Sequence, residues 1–291
     1  MKKMLITGAD SYIGTSFETY IRSGFPQSLD INTVDMTDPL WQETSFSGYD
    51  TLFHVAGIAH SDNGKADRDT EELYYSVNTR LAAMTAKKAK AEGVRQFIYM
   101  SSAIVYGNSA PIGKTKMIEE DTPPAPANFY GNSKLEGEKA ILALADEGFR
   151  VAVIRAPMIY GKGCRGNYPT LSAMAKKLPF FPYVNNQRSM LYIGNLCELI
   201  RLIAEDGEGG IFHPQNPEYS NTSRLVASIG ALHGKKIRLI PGFAWALKLL
   251  RPFTGAVDKA FGSLTYHREL SKCKYDYQKF SLEESIKLTE E

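Results

Sequence analysis

The chain has 291 residues, 43% of them apolar and 23% charged, with 34 Lys and Arg against 32 Asp and Glu for a formal charge of +2. That length suffices for one large domain or two modest ones with a true core, and that composition excludes a disordered or fibrous chain. The near-neutral balance leaves no electrostatic footprint for nucleic acid or an anionic membrane, although a local cluster can still bind a small anion.

The run Met4-Leu5-Ile6 predicts a first strand from Met4 to Thr7. It meets Thr7-Gly8 at once and is too short for a signal peptide. Further short apolar runs predict strands at Thr33–Asp35, Thr51–Val55, Gln96–Met100 and Val151–Arg155. Between them, Asp69–Glu92 reads as a helix, with Leu73, Val77, Leu81 and Met84 on one stripe and Lys87, Lys88 and Lys90 largely off it. Strand and helix in alternation imply an α/β fold, a Rossmann-type doubly wound parallel sheet with helices on both faces. The Pro-rich stretch Asp121–Pro126 is expected to be an ordered loop leading to a helix near Tyr130.

After Arg155 the rhythm changes. Pro157, Gly161, Gly163, Gly166 and Pro169 break the chain. Ser189–Ile193 reads as one more strand, Asn195–Ala204 as a helix and Glu205–Gly210 as an acidic, Gly-rich connection. Leu239–Leu250 falls well short of the ~18 apolar residues of a membrane span and is expected to be a core-facing helix. Ser281 with Glu284 has the spacing of a capping box opening the last helix. Cys164, Cys197 and Cys273 are odd in number and widely spaced. They fit neither a disulfide framework nor a zinc site, and they predict reduced thiols in a cytoplasmic protein. His60, His213, His233 and His267 have no ligand spacing, so no metal is expected.

The segment Thr7-Gly8-Ala9-Asp10-Ser11-Tyr12-Ile13-Gly14 follows the first strand and opens a helix. Such a turn aims backbone N–H groups and the positive end of a helix dipole at an anion. Gly8 allows the tight turn, and Gly14 allows the helix to approach the strand. Ser11 stands where a middle glycine is usual; its hydroxyl can bond a phosphate oxygen. Asp35 lies 21 residues beyond Gly14, the range at which a carboxylate meets an adenosine ribose and favours NAD over NADP. Only one strand fits between the first helix and Thr51, so Asp35 either meets the ribose or sits by the adenine.

Tyr130-Gly131-Asn132-Ser133-Lys134 opens a helix, and residues four apart share a face. A free phenol has a pKa near 10, too high for a base at neutral pH; a neighbouring ammonium favours phenolate. Such a tyrosine can take a proton from a hydroxyl while hydride leaves the same carbon. Met100-Ser101-Ser102-Ala103-Ile104-Val105-Tyr106-Gly107 ends a strand at the edge where open α/β sheets bind ligands, and Ser102 is a short donor there.

With these motifs in this order, the chain resembles the extended short-chain dehydrogenase/reductases, the NAD-dependent epimerase/dehydratase group acting on nucleotide sugars. The resemblance runs from Lys3 to about Ala204. It includes Thr7–Gly14, Asp50–Gly57, Ser101–Gly107, Tyr130–Lys134, Arg155–Gly161 and Asn186–Ile193. It implies a catalytic triad of Ser102, Tyr130 and Lys134, and a pyrophosphate lined by Gly8, Ser11, Tyr12, Ile13 and Gly14. It also implies that His54, Ala56, Gly57 and Asn78 lie along the cofactor, NAD with NADP as the alternative. Arg188, with Asn167, is expected on the substrate diphosphate. The expected division is a cofactor-binding domain over residues 1–165, with 189–211 returning to it, and a smaller mixed substrate-binding part over 166–188 and 212–291. The likeness further implies a homodimer through flanking helices.

Two departures bear on the reaction. Ala103 and Ile104 stand where 4,6-dehydratases carry an acidic pair, so dehydration is not expected. The short stretch before Thr51 and the Asn186–Ser189 segment resemble 4-keto-sugar reductases. The expectation is a nucleotide-sugar 4-epimerase, with a 4-keto reductase on the same site as the alternative. The rival of another class is a non-catalytic dinucleotide sensor or scaffold. Relatives of that kind commonly lose the tyrosine or lysine, and both are intact here.

Overall fold

The computed structural model describes residues 1–59, 68–242, 247 and 256–291. In chain order the strands are β1 (Lys2–Thr7), β2 (Leu29–Val34), β3 (Thr51–His54), β4 (Gln96–Ser102), β5 (Met117–Ile118), β6 (Arg150–Ala156), β7 (Met158–Tyr160), β8 (Phe180–Pro182), β9 (Met190–Tyr192), β10 (Gly210–Phe212), β11 (Arg238–Ile240) and β12 (Thr265–Tyr266). The helices used below are α1 (Tyr12–Gly24), α2 (Arg68–Tyr75), α3 (Ala82–Ala91), α4 (Phe129–Leu142), α5 (Asn167–Lys177), α6 (Ile193–Asp206) and α7 (Thr222–Leu232).

β1, β3, β4 and β6 are buried nearly throughout, as central strands of a sheet covered on both faces must be. Six strands pair in parallel in the order β10-β6-β4-β3-β1-β2. The chain leaves β1 for β2 on one side and returns to β3 on the other. That reversal opens a crevice beyond the carboxyl ends of β1 and β3, where such sheets take ligands. One face is covered by α1 and α6, through Phe17, Ile21, Leu196, Leu199, Ile200 and Ile203. The other carries α3 and α4, through Ala82, Ala86, Ala89 and Ile141. A separate core, built on Tyr160, Tyr168, Leu171, Phe181, Leu225 and Ile229, belongs to the C-terminal part.

Several elements differ from expectation. β2 is longer than Thr33–Asp35, and Asp35 falls just past its end. A 3-10 turn, Pro39–Glu43, holds Trp41 in the core where a further helix and strand could have stood. The single helix expected over Asp69–Glu92 is α2, a π-helical segment (Ser76–Leu81) and α3 in succession. Its expected apolar stripe is split: Val77 and Leu81 are half-buried, and Leu81 packs against the core. Leu73 and Met84 are 51% and 47% exposed, while the buried face is Tyr74, Asn78, Ala82, Thr85, Ala86 and Ala89. Small residues let this helix lie close to the sheet, so size rather than hydrophobicity marks its inner face. β9 is shorter than Ser189–Ile193 and pairs with β7 outside the main sheet, while α6 starts two residues before the expected Asn195. β10 was not foreseen: three residues at the sheet edge with Ile211 exposed leave no alternation to read. Leu239 and Ile240 are strand, not helix, and Leu247 packs against the C-terminal core; the rest of the Leu239–Leu250 expectation, like His60, lies outside the described residues except for Pro241 and Gly242. The capping box is present, with Ser281 and Glu284 bonding reciprocally. Among the described residues no helix is long and apolar enough to cross a membrane.

Candidate active site

The turn between β1 and α1 is built around Gly8, at φ +102°. A Cβ there would lie 2.9 Å from the Ala56 backbone N, so only glycine fits without displacing the loop after β3. Asp10 has φ +62°, the left-handed region that Asp tolerates better than most residues. Ser11 N-caps α1, its Oγ accepting from Gly14 N–H at 3.1 Å. That bond uses the Ser11 oxygen as acceptor and leaves its O–H to donate to an anion. The N–H groups of Tyr12 and Ile13 find no partner among the described residues, and they remain for an anion. The glycine cradle and free amides fit a dinucleotide pyrophosphate. The Tyr12 and Ile13 side chains pack into the cores beneath; burial raises the Tyr12 phenol well above its usual pKa. Asp35 is exposed at the carboxyl end of β2, the strand beside β1, with Oδ1 accepting from Thr37 N and Oγ1, both at 2.8 Å. Those bonds hold its carboxyl below the ordinary range.

Two residues expected along the cofactor lie deeper. His54 is fully buried, its Nδ1 2.7 Å from Thr7 Oγ1 and its ring stacked beside Phe97 and Tyr99. Burial first, and Lys134 second, draw its pKa down to about 3, so it is neutral. It supports the sheet through Nδ1, and its Nε2 is buried with no hydrogen-bond partner among the described residues. Asn78 is likewise fully buried. Its Oδ1 accepts from Ile58 N (3.0 Å) and its Nδ2 donates to Ile58 O (3.1 Å) and Ser133 Oγ (3.2 Å). It is a latch between the loop carrying Ala56 and Gly57 and helix α4. The π-helical bulge turns it inward, and such bulges gather at functional sites.

Ser102 ends β4 and caps the 3-10 turn Ala103–Tyr106, its Oγ accepting from Ile104 N at 3.3 Å. α4 lies across that strand end: a Cβ on Gly131 would stand 2.9 Å from Ile104 O. Lys134 reaches the end of that strand through Met100 O, and Tyr130 stands one turn earlier on α4. The Tyr130 ring meets Tyr74 edge-on at 5.7 Å. Lys134 is buried, and its Nζ donates to Met100 O (3.0 Å) and lies 4.9 Å from the Tyr99 ring centre. Burial draws its pKa down to about 8, against the opposing pull of Glu138. The ammonium therefore persists at neutral pH, one helical turn from the phenol.

Asn167 is exposed at the first turn of α5, after Gly166. Arg188 is half-buried; its guanidinium donates to the carbonyls of Lys259 and Ala260, and its backbone bridges to Ser220 and Leu264. A group bound at Arg188 must compete with those carbonyls. The sequence motifs did not single out the ion pair Glu138–Arg155 beneath this site. Its one signal was Glu138 four residues beyond Lys134 on the same helix.

A model of the NAD dependent epimerase/dehydratase family matches residues 4–213. UDP-glucose 4-epimerase of Vibrio cholerae is 29% identical over 90% of this chain and 86% of its own. dTDP-4-dehydrorhamnose reductase of Mycobacterium tuberculosis is 26% identical over 74% of this chain and 70% of its own. The fold matches the crystal structure of the human epimerase family protein SDR39U1 with NADPH, at a TM-score of 0.77 and 15% identity over 99% of each chain. Structures of this fold have been solved with NAD, NADP and NADPH.

Proposed function

The chain belongs to the NAD dependent epimerase/dehydratase family, and from that premise we propose that it is a nucleotide-sugar 4-epimerase acting on a UDP-sugar. The observation that carries this reading is the buried Lys134 ammonium, held on Met100 O one turn from Tyr130 at the Ser102 end of β4. In this reading Ser102 Oγ donates a hydrogen bond to the C4 oxygen, and Tyr130 Oη takes its proton as the Lys134 charge stabilises the phenolate. Bound NAD supplies the hydride acceptor. The protein's part in inverting C4 is room for the keto sugar to turn, after which Tyr130 returns the proton. Ala103 and Ile104 carry no acid or base, so elimination of water has no catalyst beside Ser102.

The dinucleotide would lie over residues 1–165 with 189–211, its pyrophosphate on Tyr12 N and Ile13 N and its adenosine ribose on Asp35. The nucleotide sugar would lie against 166–188 and 212–291, Arg188 exchanging its carbonyl partners for the diphosphate, whose anionic oxygens suit a guanidinium fork. One observation favours a 4-keto-sugar reductase as second reading. Only β2 lies beyond β1, a shortened sheet edge, and a 4-keto reductase is among the relatives.

The deciding experiment incubates the purified enzyme with UDP-sugars and identifies any nucleotide it carries. C4 inversion with no cofactor added is the expected result; strict dependence on added NADH or NADPH selects the reductase, and no reaction of either kind refutes both.

The exposed Leu73 and Met84 lie along the flank beside α4, and we assign that face to a homodimer. Leu73→Glu with Met84→Glu should halve the mass seen by sedimentation equilibrium. A wild-type monomer at the same concentration overturns the assignment.

A further inference from the structure

A buried ion pair lies directly under the Ser102–Tyr130–Lys134 set. Glu138, one turn past Lys134, accepts from Ser101 Oγ on β4 and from Arg155 on β6, through Nε (3.1 and 3.2 Å) and Nη2 (2.7 Å). Neither side chain has appreciable contact with solvent. Arg155 Nη1 donates to Tyr106 Oη (2.6 Å), which lies 2.7 Å from His213 Nε2, and Tyr266 Oη donates to Arg155 O (2.7 Å). The network thus bolts α4 to two central strands and to the C-terminal part. Well-packed apolar side chains often serve a purely structural joint as well, because the desolvation of a buried charge pair can exceed its attraction.

Lys134 is a further buried charge in the same place. Around it stand Tyr130 and Glu138, one turn to either side on its own helix, neutral His54 on β3, the Tyr99 ring and Met100 O on β4, and Asn78 Oδ1 beside Gly57, with Arg155 paired to Glu138; Lys134 Nζ and the Glu138 carboxylate meet consecutive residues of β4, Met100 O and Ser101 Oγ. Glu138 is the carboxylate among them. We propose that Glu138 is the counter-charge that keeps Lys134 protonated, with Ser101 and Arg155 holding it in place, so that Glu138 is a positioning residue for the Tyr130–Lys134 pair. This rests on the proposed role of Lys134 beside Tyr130. Burial lowers the lysine pKa and Glu138 raises it. Removing the carboxylate leaves burial unopposed and adds an unpaired guanidinium, both acting downward. The ammonium is then lost near neutral pH, and the phenolate loses its cation.

The test follows Lys134 itself. In the NAD-loaded enzyme made with 13C-lysine, its Cε resonance, identified by its loss in Lys134→Arg, is titrated with pH. Glu138→Gln should lower the midpoint by about one pH unit or more, whereas Glu138→Asp should keep it near wild type. Should Glu138→Gln fail to fold with Arg155 unpaired, Glu138→Gln with Arg155→Met removes both charges and should still lower the midpoint. Turnover should follow, its alkaline limb moving to lower pH in the Gln variants. A midpoint unchanged in the Gln variants, with turnover reduced equally at every pH, makes the pair structural and overturns the proposal. The lysine titration needs no sugar. A shifted midpoint in a protein that turns over no nucleotide sugar therefore sinks the functional reading and leaves this one standing.

Discussion

Tyr130→Phe should cut turnover by about 10²–10⁴-fold and leave dinucleotide affinity unchanged. Phenylalanine keeps the ring that packs edge-on against Tyr74 and removes only the oxygen. In the proposed mechanism the lost atom is the one that exchanges a proton with the substrate, an interaction made in the transition state. The loss should therefore appear in kcat, with KM little altered. Ser102→Ala should cost less, because it removes a hydrogen bond rather than the base. Lys134→Met should resemble Tyr130→Phe at neutral pH, since in the proposed mechanism the buried ammonium stabilises the phenolate. Rates by sugar-product assay and affinities by calorimetry separate these cases. A Tyr130→Phe enzyme within about twofold of wild-type kcat would falsify the catalytic assignment.

The sheet was legible because its signals are local. Met4–Ile6, Leu52–His54 and Phe97–Met100 are short apolar runs bounded by turns, and each is a buried parallel strand. The turn between β1 and α1 was legible for the same reason: Gly8 and Gly14 belong to one local geometry, a strand running straight into a helix. What could not be read depends on partners far along the chain. Asn78 and His54 looked like ligand residues because of their motifs. Their hydrogen bonds to Ile58, Ser133 and Thr7 also tie them to the scaffold, and only the fold reveals those bonds. The Leu73–Met84 stripe misled because periodicity reports an apolar face without saying whether a sheet or another surface covers it. Arg155 and Glu138 are 17 residues apart in sequence but meet across β6 and α4, a pairing that no local pattern encodes.

Gly137→Ala should destabilise the protein by about 1–3 kcal/mol, although helix propensity alone argues the opposite. Gly137 lies inside α4, where exchanging glycine for alanine ordinarily gains roughly 1 kcal/mol. Here the helix rests on the π-helical segment so closely that a new Cβ would fall 2.8 Å from Tyr99 Oη and closer still to Asn78 O. Tyr99 Oη already donates to that carbonyl at 2.9 Å, in a fully buried place, so neither neighbour can yield without breaking a buried hydrogen bond. Steric exclusion therefore outweighs propensity. Gly24 supplies the control: it is the last residue of α1, has no positive φ, and nothing lies within 4 Å of its would-be Cβ, so Gly24→Ala should be neutral or gain roughly 0.5–1 kcal/mol. Urea unfolding of the two variants gives both numbers with a common reference. Because Gly137 sits one residue before Glu138 and three after Lys134, a displaced α4 also draws Nζ away from Met100 O. Turnover of Gly137→Ala should accordingly fall even at temperatures where the protein remains folded. A Gly137→Ala protein as stable and as active as wild type means that α4 can shift without consequence, and the catalytic geometry drawn from its contact with β4 would then have no mechanical basis.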